Sequence, residues 1–246
     1  MFLRTGREKI ENAMNNHRLT IQNEVLQRYP GYTCLVVYTE GMDNTVSAEP
    51  SAELLRQAEH KSAARFAGGS PSEHPHIAAW RNAYQSFGAK PKKYPCSVEA
   101  LLTRVCKHEP LPSINPLVNL YNAISLDYVI PIGGEDRDKL TSDLQLTLAG
   151  GTEMFDTRRS GESVLEHPEA GEIVWKDSTG VTCRRWNWRQ CERTAVRTET
   201  DRGYFVFDCL PPFGLTEASA AARQFLSALK QSSPGATAEV EILHTP

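Results

Sequence analysis

No apolar run in the 246-residue chain approaches the roughly 18 to 20 residues that cross a bilayer. The opening segment MFLRTGREKIENAMNNHRL also lacks the apolar stretch of a signal peptide, so a cytoplasmic protein with no membrane attachment is expected. Positive charge is in short supply: 27 Lys and Arg stand against 30 Asp and Glu, a formal charge of −3. That balance excludes a protein held on nucleic acid by bulk charge, and any basic surface must be local. The six cysteines, Cys34, Cys96, Cys106, Cys183, Cys191 and Cys209, are scattered and form no CxxC pair, which fits reduced thiols. Zinc held by Cys183 and Cys191 would need a second ligand pair, and no histidine stands at finger-like spacing, so neither metal nor cofactor is expected. Phosphate-loop and dinucleotide-binding glycine patterns are missing, which counts against NTP and NAD chemistry. The seven histidines are dispersed and suggest no Ser-His-Asp or Cys-His arrangement.

What is there is ordinary globular material. An apolar share of 40 % and a charged share of 23 % match a folded protein long enough to bury a core without disulfides, though composition leaves the domain count open. The first thirty residues read as mostly helical and polar, ending at the breaker YPGY. YTCLVVYTE at 32–40 is a β-branched apolar run of strand length, expected as a buried central strand. Helices follow at 51–66 behind a possible Ser51 cap, at 77–88 up to Gly88, at 97–108, and at 117–126 after Asn115 and Pro116. Trp80, Tyr84 and Phe87 fall at helical spacing and read as core rather than as a binding platform. YVIPIGGED reads as a strand running into a glycine turn, and DLQLTLAGG as a strand with Leu144, Leu146 and Leu148 on its buried side. A strand, a turn at 178–180 and a further strand lead to the buried strand GYFVFDCL at 203–210. LTEASAAARQFLSALKQ is an amphipathic helix behind Thr216, and AEVEIL a last strand. Helices dominate the first half and strands the middle, with no internal repeat, so the fold class is α+β in mixed layers.

Three stretches concentrate polar groups among backbone breakers. In NPLVNLYN, Asn115 either caps the helix or, with Asn119 and Asn122, faces a ligand. In PIGGEDRDK the paired glycines either make a tight turn or let the backbone N–H groups of Gly133 and Gly134 approach an anion or carbonyl. The third, CRRWNWRQCERT at 183–194, would if extended put Cys183, Arg185 and Asn187 on one face and Arg184, Trp186 and Trp188 on the other. Arginines beside flat aromatic rings suit stacking on unpaired bases, and they equally suit a sheet surface held by cation–π contacts.

Read in order, FGAKPKKYPCSVEALL, LPSINPLVNLYNAISLDYVIPIGGED, CRRWNWRQ and TDRGYFVFD resemble the tRNA-editing domain of the bacterial phenylalanyl-tRNA synthetase beta subunit, and more closely the freestanding proteins built from that domain alone. The resemblance covers about 77–210. It implies that residues 1–246 form a single editing-domain-like unit, with an N-terminal part at about 1–76 and a C-terminal helix and strand at 211–246. It further implies a deacylase acting in trans on the aminoacyl 3′ end of a mischarged tRNA, as that domain removes tyrosine from the phenylalanine tRNA, without a cofactor. Asn115 matches the family's pocket asparagine and Asp208 its pocket glutamate, one methylene shorter. Gly133 stands where the synthetase domain has histidine, within a Pro-x-His-Ala-Phe-Asp turn.

Glycine supplies neither an imidazole base nor a donor side chain. The expected catalytic groups are therefore the backbone at Gly133 and Gly134 with Glu135, Asp136 or Asp208 orienting water, or else the terminal hydroxyl of the tRNA itself assisting. The expected substrate-binding residues are Asn115, Asn122, Arg184, Arg185, Trp186, Trp188 and Arg189. The alternatives are a non-catalytic module that binds tRNA or an aromatic amino acid, and an enzyme acting on another amino-acid ester or amide.

Overall fold

The computed structural model describes residues 17–159 and 161–246. The expected helix within the first thirty residues lies outside these up to residue 16. From there the chain forms a short strand β1 (Leu19–Ile21) and a short helix α1 (Asn23–Arg28). Strand β2 (Thr33–Glu40) is apolar on both sides because both of its faces are covered. Cys34, Val36 and Tyr38 pack toward one core and Leu35 and Val37 toward another.

Helices α2 (Glu49–Arg65), α3 (Pro75–Ser86), α4 (Ser97–Cys106) and α5 (Pro116–Tyr128) come next. Strands β3 (Ile132–Asp136), β4 (Leu144–Leu148), β5 (Phe155–Arg159), β6 (Glu162–Glu166), β7 (Ile173–Lys176), β8 (Val181–Arg184), β9 (Arg189–Gln190) and β10 (Gly203–Cys209) follow. Helix α6 (Leu215–Ser232) and strand β11 (Thr237–His244) end the chain. The fold is α+β: a four-stranded antiparallel sheet in the order β11-β2-β10-β3, a five-stranded sheet in the order β1-β4-β7-β8-β9, and a β5-β6 hairpin.

Helices α5 and α6 cover one face of the four-stranded sheet. Apolar residues of α6 recur at Ala218, Ala221, Ala222, Phe225 and Leu229, the spacing of one helical stripe, and all are buried against Phe205 and Phe207 of β10. Truncating a side chain such as Phe225 would cost about 3–5 kcal/mol. The other face of the sheet meets the second core, where Ile77 and Trp80 of α3 and Val98 and Leu102 of α4 pack with Leu144, Leu146 and Ile173 of the five-stranded sheet. Trp80 and Tyr84 are core residues, as their spacing suggests.

Some local expectations are corrected. Helix α2 begins at Glu49 behind Ala48, two residues before Ser51. The cap of α6 is Gly214 rather than Thr216: the Glu217 carboxylate accepts from the Gly214 N–H at 2.9 Å, satisfying an orphan donor of the first turn. Gly133 and Gly134 form no turn. They lie inside β3, opposite Val206 and Phe205 of β10, and neither has a positive φ. The expected strand through Trp188 ends at Arg184, because Arg185 (φ 50°) and Trp186 (φ 69°) are both left-handed.

Candidate functional site

A pocket of about 250 Å³ lies between the two sheets. Its inner wall follows from strand alternation. On β3, Gly133 and Glu135 face the pocket, while Gly134 is turned toward Phe205, whose ring would lie 2.5 Å from any Cβ placed there. On β10, Tyr204, Val206 and Asp208 share the pocket face. Trp175 of β7, Cys183 of β8 and Gln190 of β9 form the opposite wall. Glu135, Trp186, Tyr204 and Asp208 are buried at the floor, whereas Asn122, Gly133, Trp188 and Gln190 are half-buried and Arg189 is exposed at the mouth.

Two carboxyl groups reach this floor in different ways. Asp208 is held on both oxygens: the Tyr32 hydroxyl donates to one at 2.5 Å and the Asn187 amide to the other at 3.0 Å. Burial pushes its carboxyl up to about 6, against the two hydrogen bonds that favour the charged form. The Tyr84 hydroxyl donates to the Asn187 oxygen at 2.8 Å, so Tyr84, Asn187, Asp208 and Tyr32 form one chain. Glu135 accepts from the Thr194 hydroxyl at 2.5 Å, with the Tyr204 and Thr182 hydroxyls near it. Burial dominates and pushes Glu135 up to about 7. The Cys183 thiol, on the opposite wall, is raised by burial and further by both carboxylates.

The left-handed pair Arg185–Trp186 shapes the rest. Non-glycine residues there cost about 1–2 kcal/mol each, and tertiary packing holds them. Trp186 is fully buried with its ring edge-on to Tyr29, Tyr32 and Trp80. Trp186 lines the pocket, while its indole nitrogen is sealed from solvent and has no acceptor among the described residues. The reversal also returns Asn187 to Asp208.

Of the residues singled out in the sequence, Gly133, Glu135, Asp208, Asn122, Trp186, Trp188 and Arg189 come together in this pocket. Asn115 does not. It caps α5, its oxygen accepting from Val118 N–H at 3.0 Å and its amide donating to the Val196 carbonyl at 3.1 Å. Arg184 is buried away from the pocket in a two-pronged pair with Glu172, both contacts 3.0 Å, and a third contact to Glu166. Arg185 lies outside the mouth, its guanidinium 3.6 Å from the Tyr94 ring centre and 4.6 Å from that of Trp188. Gly134 faces the other core, and its carbonyl accepts from Gln190 at 2.9 Å.

Sequence reasoning missed Gln190, Tyr204 and Trp175 and gave Cys183 no part in the pocket. Tyr204 was within reach, since it shares the period of two with Asp208. Gln190 has its amide nitrogen 3.1 Å from where a Gly133 Cβ would stand. No group of three or more His, Cys, Asp or Glu able to hold a metal occurs among the described residues. No helix among them is long and apolar enough to cross a membrane.

No curated protein matches the chain. Among solved structures, the chain is similar to an N-terminal fragment of the phenylalanyl-tRNA synthetase beta-subunit from Pyrococcus horikoshii. The identity is 12 % and the TM-score 0.46, over 91 % of this chain and 50 % of that one, so the chain spans half of that fragment's length. The family model of the B3/4 domain matches residues 79–226, more than half of the chain and the segment that builds the pocket, and the chain belongs to the B3/4 domain family.

Proposed function

We propose that the pocket receives the aminoacyl group at the 3′ end of a tRNA and hydrolyses its ester, with Glu135 as general base. Family membership and the ordered motifs support the tRNA partner. The observation that carries the chemistry is the place of the Glu135 carboxyl, buried on the pocket wall, where burial raises it to about 7 and a base combines availability with proton affinity. Glu135 takes a proton from a water, and the hydroxide attacks the ester carbonyl. The Asn187 amide, held through one of its hydrogens by Asp208, stands on the same pocket as a donor for the developing oxyanion. Collapse breaks the bond to the ribose oxygen, which takes the proton back from Glu135. Asp208 positions Asn187 rather than acting on water, since both its oxygens are engaged. The volume suits one amino-acid side chain, being below the roughly 300–1,000 Å³ of sites for drug-sized ligands.

The second reading is a module that binds without hydrolysing. Gly133, standing where the resembled domain has histidine, favours it. The test is ester loss from a panel of mischarged tRNAs, beginning with tyrosine on the phenylalanine tRNA, for wild type and Glu135→Gln. Hydrolysis that falls roughly 10²-fold or more in the variant, with kcat/KM rising to a plateau above about pH 7, is expected. Retention of tRNA without ester loss establishes the binder, and hydrolysis undiminished in Glu135→Gln removes the assigned base.

A further inference from the structure

Outside the mouth runs a larger open groove, about 810 Å³, which shares Trp188 and Arg189 with the pocket. In a chain of net charge −3 its walls gather Lys93, Arg158, Arg159, Arg184, Arg185 and Arg189. Several of these are neutralised internally. Arg184 is paired to Glu166 and Glu172 and Arg159 to Glu166, whereas exposed Arg158 has only a solvent-facing contact at 3.4 Å to Glu192, which Arg197 shares, and its charge stays available. Lys93 and Arg189 have no carboxylate within ion-pair distance among the described residues.

The aromatic rings are interleaved with these cations. The Lys93 ammonium stands 5.0 Å from the Tyr94 ring centre, Arg185 lies between Tyr94 and Trp188, and the Arg189 guanidinium stands 4.4 Å from the Trp188 ring centre. Arg189 thus offers a planar guanidinium at the pocket mouth, the surface on which an unpaired base stacks. Arg185 is only 4 % exposed and its Nη1 donates no hydrogen bond among the described residues, although its neighbour Nη2 stands 3.5 Å from Glu172. A buried guanidinium nitrogen without an acceptor is a costly arrangement that a ligand oxygen would relieve.

We propose that this groove holds the unpaired nucleotides just upstream of the aminoacyl group, a base stacking on Arg189 and phosphates meeting Lys93, Arg185 and Arg158. The proposal rests on the pocket reading, and it assigns single-stranded RNA rather than duplex as what the protein grips. The remaining acidic residue of the groove, Glu169, stands on the wall with Arg185 and Lys93, where the two cations that meet the backbone outnumber its carboxylate.

The test uses uncharged RNA, so that it does not depend on hydrolysis. A fluorescent minihelix ending in four unpaired nucleotides, its blunt-ended counterpart and inorganic pyrophosphate as competitor are titrated against wild type and the double variant Lys93→Gln, Arg158→Gln, both exposed and outside the pocket. Expected are binding of the minihelix roughly tenfold tighter than the blunt duplex, weakening in the variant, and a salt slope shallower by about 1.4, or 0.7 per lost cation. Blunt duplex bound as tightly, a variant that binds like wild type, or competition by pyrophosphate at the concentration of the RNA itself would each overturn the groove. Ester loss in the Glu135 experiment is read separately, so an inert groove and an inert pocket give different results.

Discussion

The substitution Glu135→Gln should make this protein more stable at pH 8. Glu135 is fully buried, and its carboxyl rises from an ordinary value of 4.5 to about 7 in the folded chain because burial disfavours the charged form. A carboxyl raised on folding leaves stability intact below the unfolded value and removes it as pH climbs through the folded one. The loss therefore accumulates between about pH 4.5 and pH 7. The shift corresponds to about 3 kcal/mol at pH 8. Glutamine keeps the volume and an oxygen for the Thr194 hydroxyl while removing the charge. With roughly 2–4 °C per kcal/mol for a chain of this size, the variant should melt about 6–12 °C higher at pH 8 and nearly level with wild type at pH 5. Thermal unfolding at both pH values checks this. A variant that melts at or below wild type at pH 8 would show that the folded chain accommodates the ionised carboxylate, and the argument for a base titrating near neutrality would fall with it. A stability gain coupled to lost hydrolysis is what a functional group held at a cost to the fold should give.

Further outcomes follow from the same packing. Arg184→Ala should destabilise by about 3 kcal/mol, because it leaves buried Glu172 with only the longer Arg185 contact at 3.5 Å as its ion pair, whereas loss of a surface substrate contact would leave the melting point unchanged. His76 should impose an acid limit. It accepts the Trp80 indole N–H at 3.0 Å and the Leu210 N–H at 3.1 Å on Nε2, and burial pushes it down to about 4. Its contribution is whole above about pH 6.5 and is lost as pH falls toward 4, amounting to about 3 kcal/mol. Denaturant unfolding between pH 7 and pH 4 should show that loss in wild type and a flatter profile in His76→Gln.

The elements with strong local signals were readable in the chain. Strand β2 announced itself by an unbroken apolar run because both of its faces are covered, and α6 by a stripe at helical spacing. The β5-β6 hairpin went unnoticed, since β6 is largely exposed and its sequence carries little alternation for a buried face to impose. At the site, Glu135 and Asp208 were legible as acidic groups within motifs, yet nothing local showed which partners would hold each carboxyl. Tyr32, Asn187 and Thr194 do so, from distant parts of the chain.

The sequence by itself determined the α+β class, the major helices and strands, the family through motifs in order, and the two carboxyl groups. Those properties are written in periodicity and short-range pattern. Only the tertiary structure decided which way the motif residues point. Alternation would have put Trp186 beside Arg184, and two left-handed residues break it. Arginine and tryptophan have no local preference for that conformation, so it exists only because Tyr29, Tyr32 and Trp80 enclose one ring while Tyr94 and Trp188 flank one guanidinium. Arg184 consequently went to an internal ion pair, Asn115 to a helix cap, and Asn187 to the pocket floor, each placed by the partner that packing brought to it.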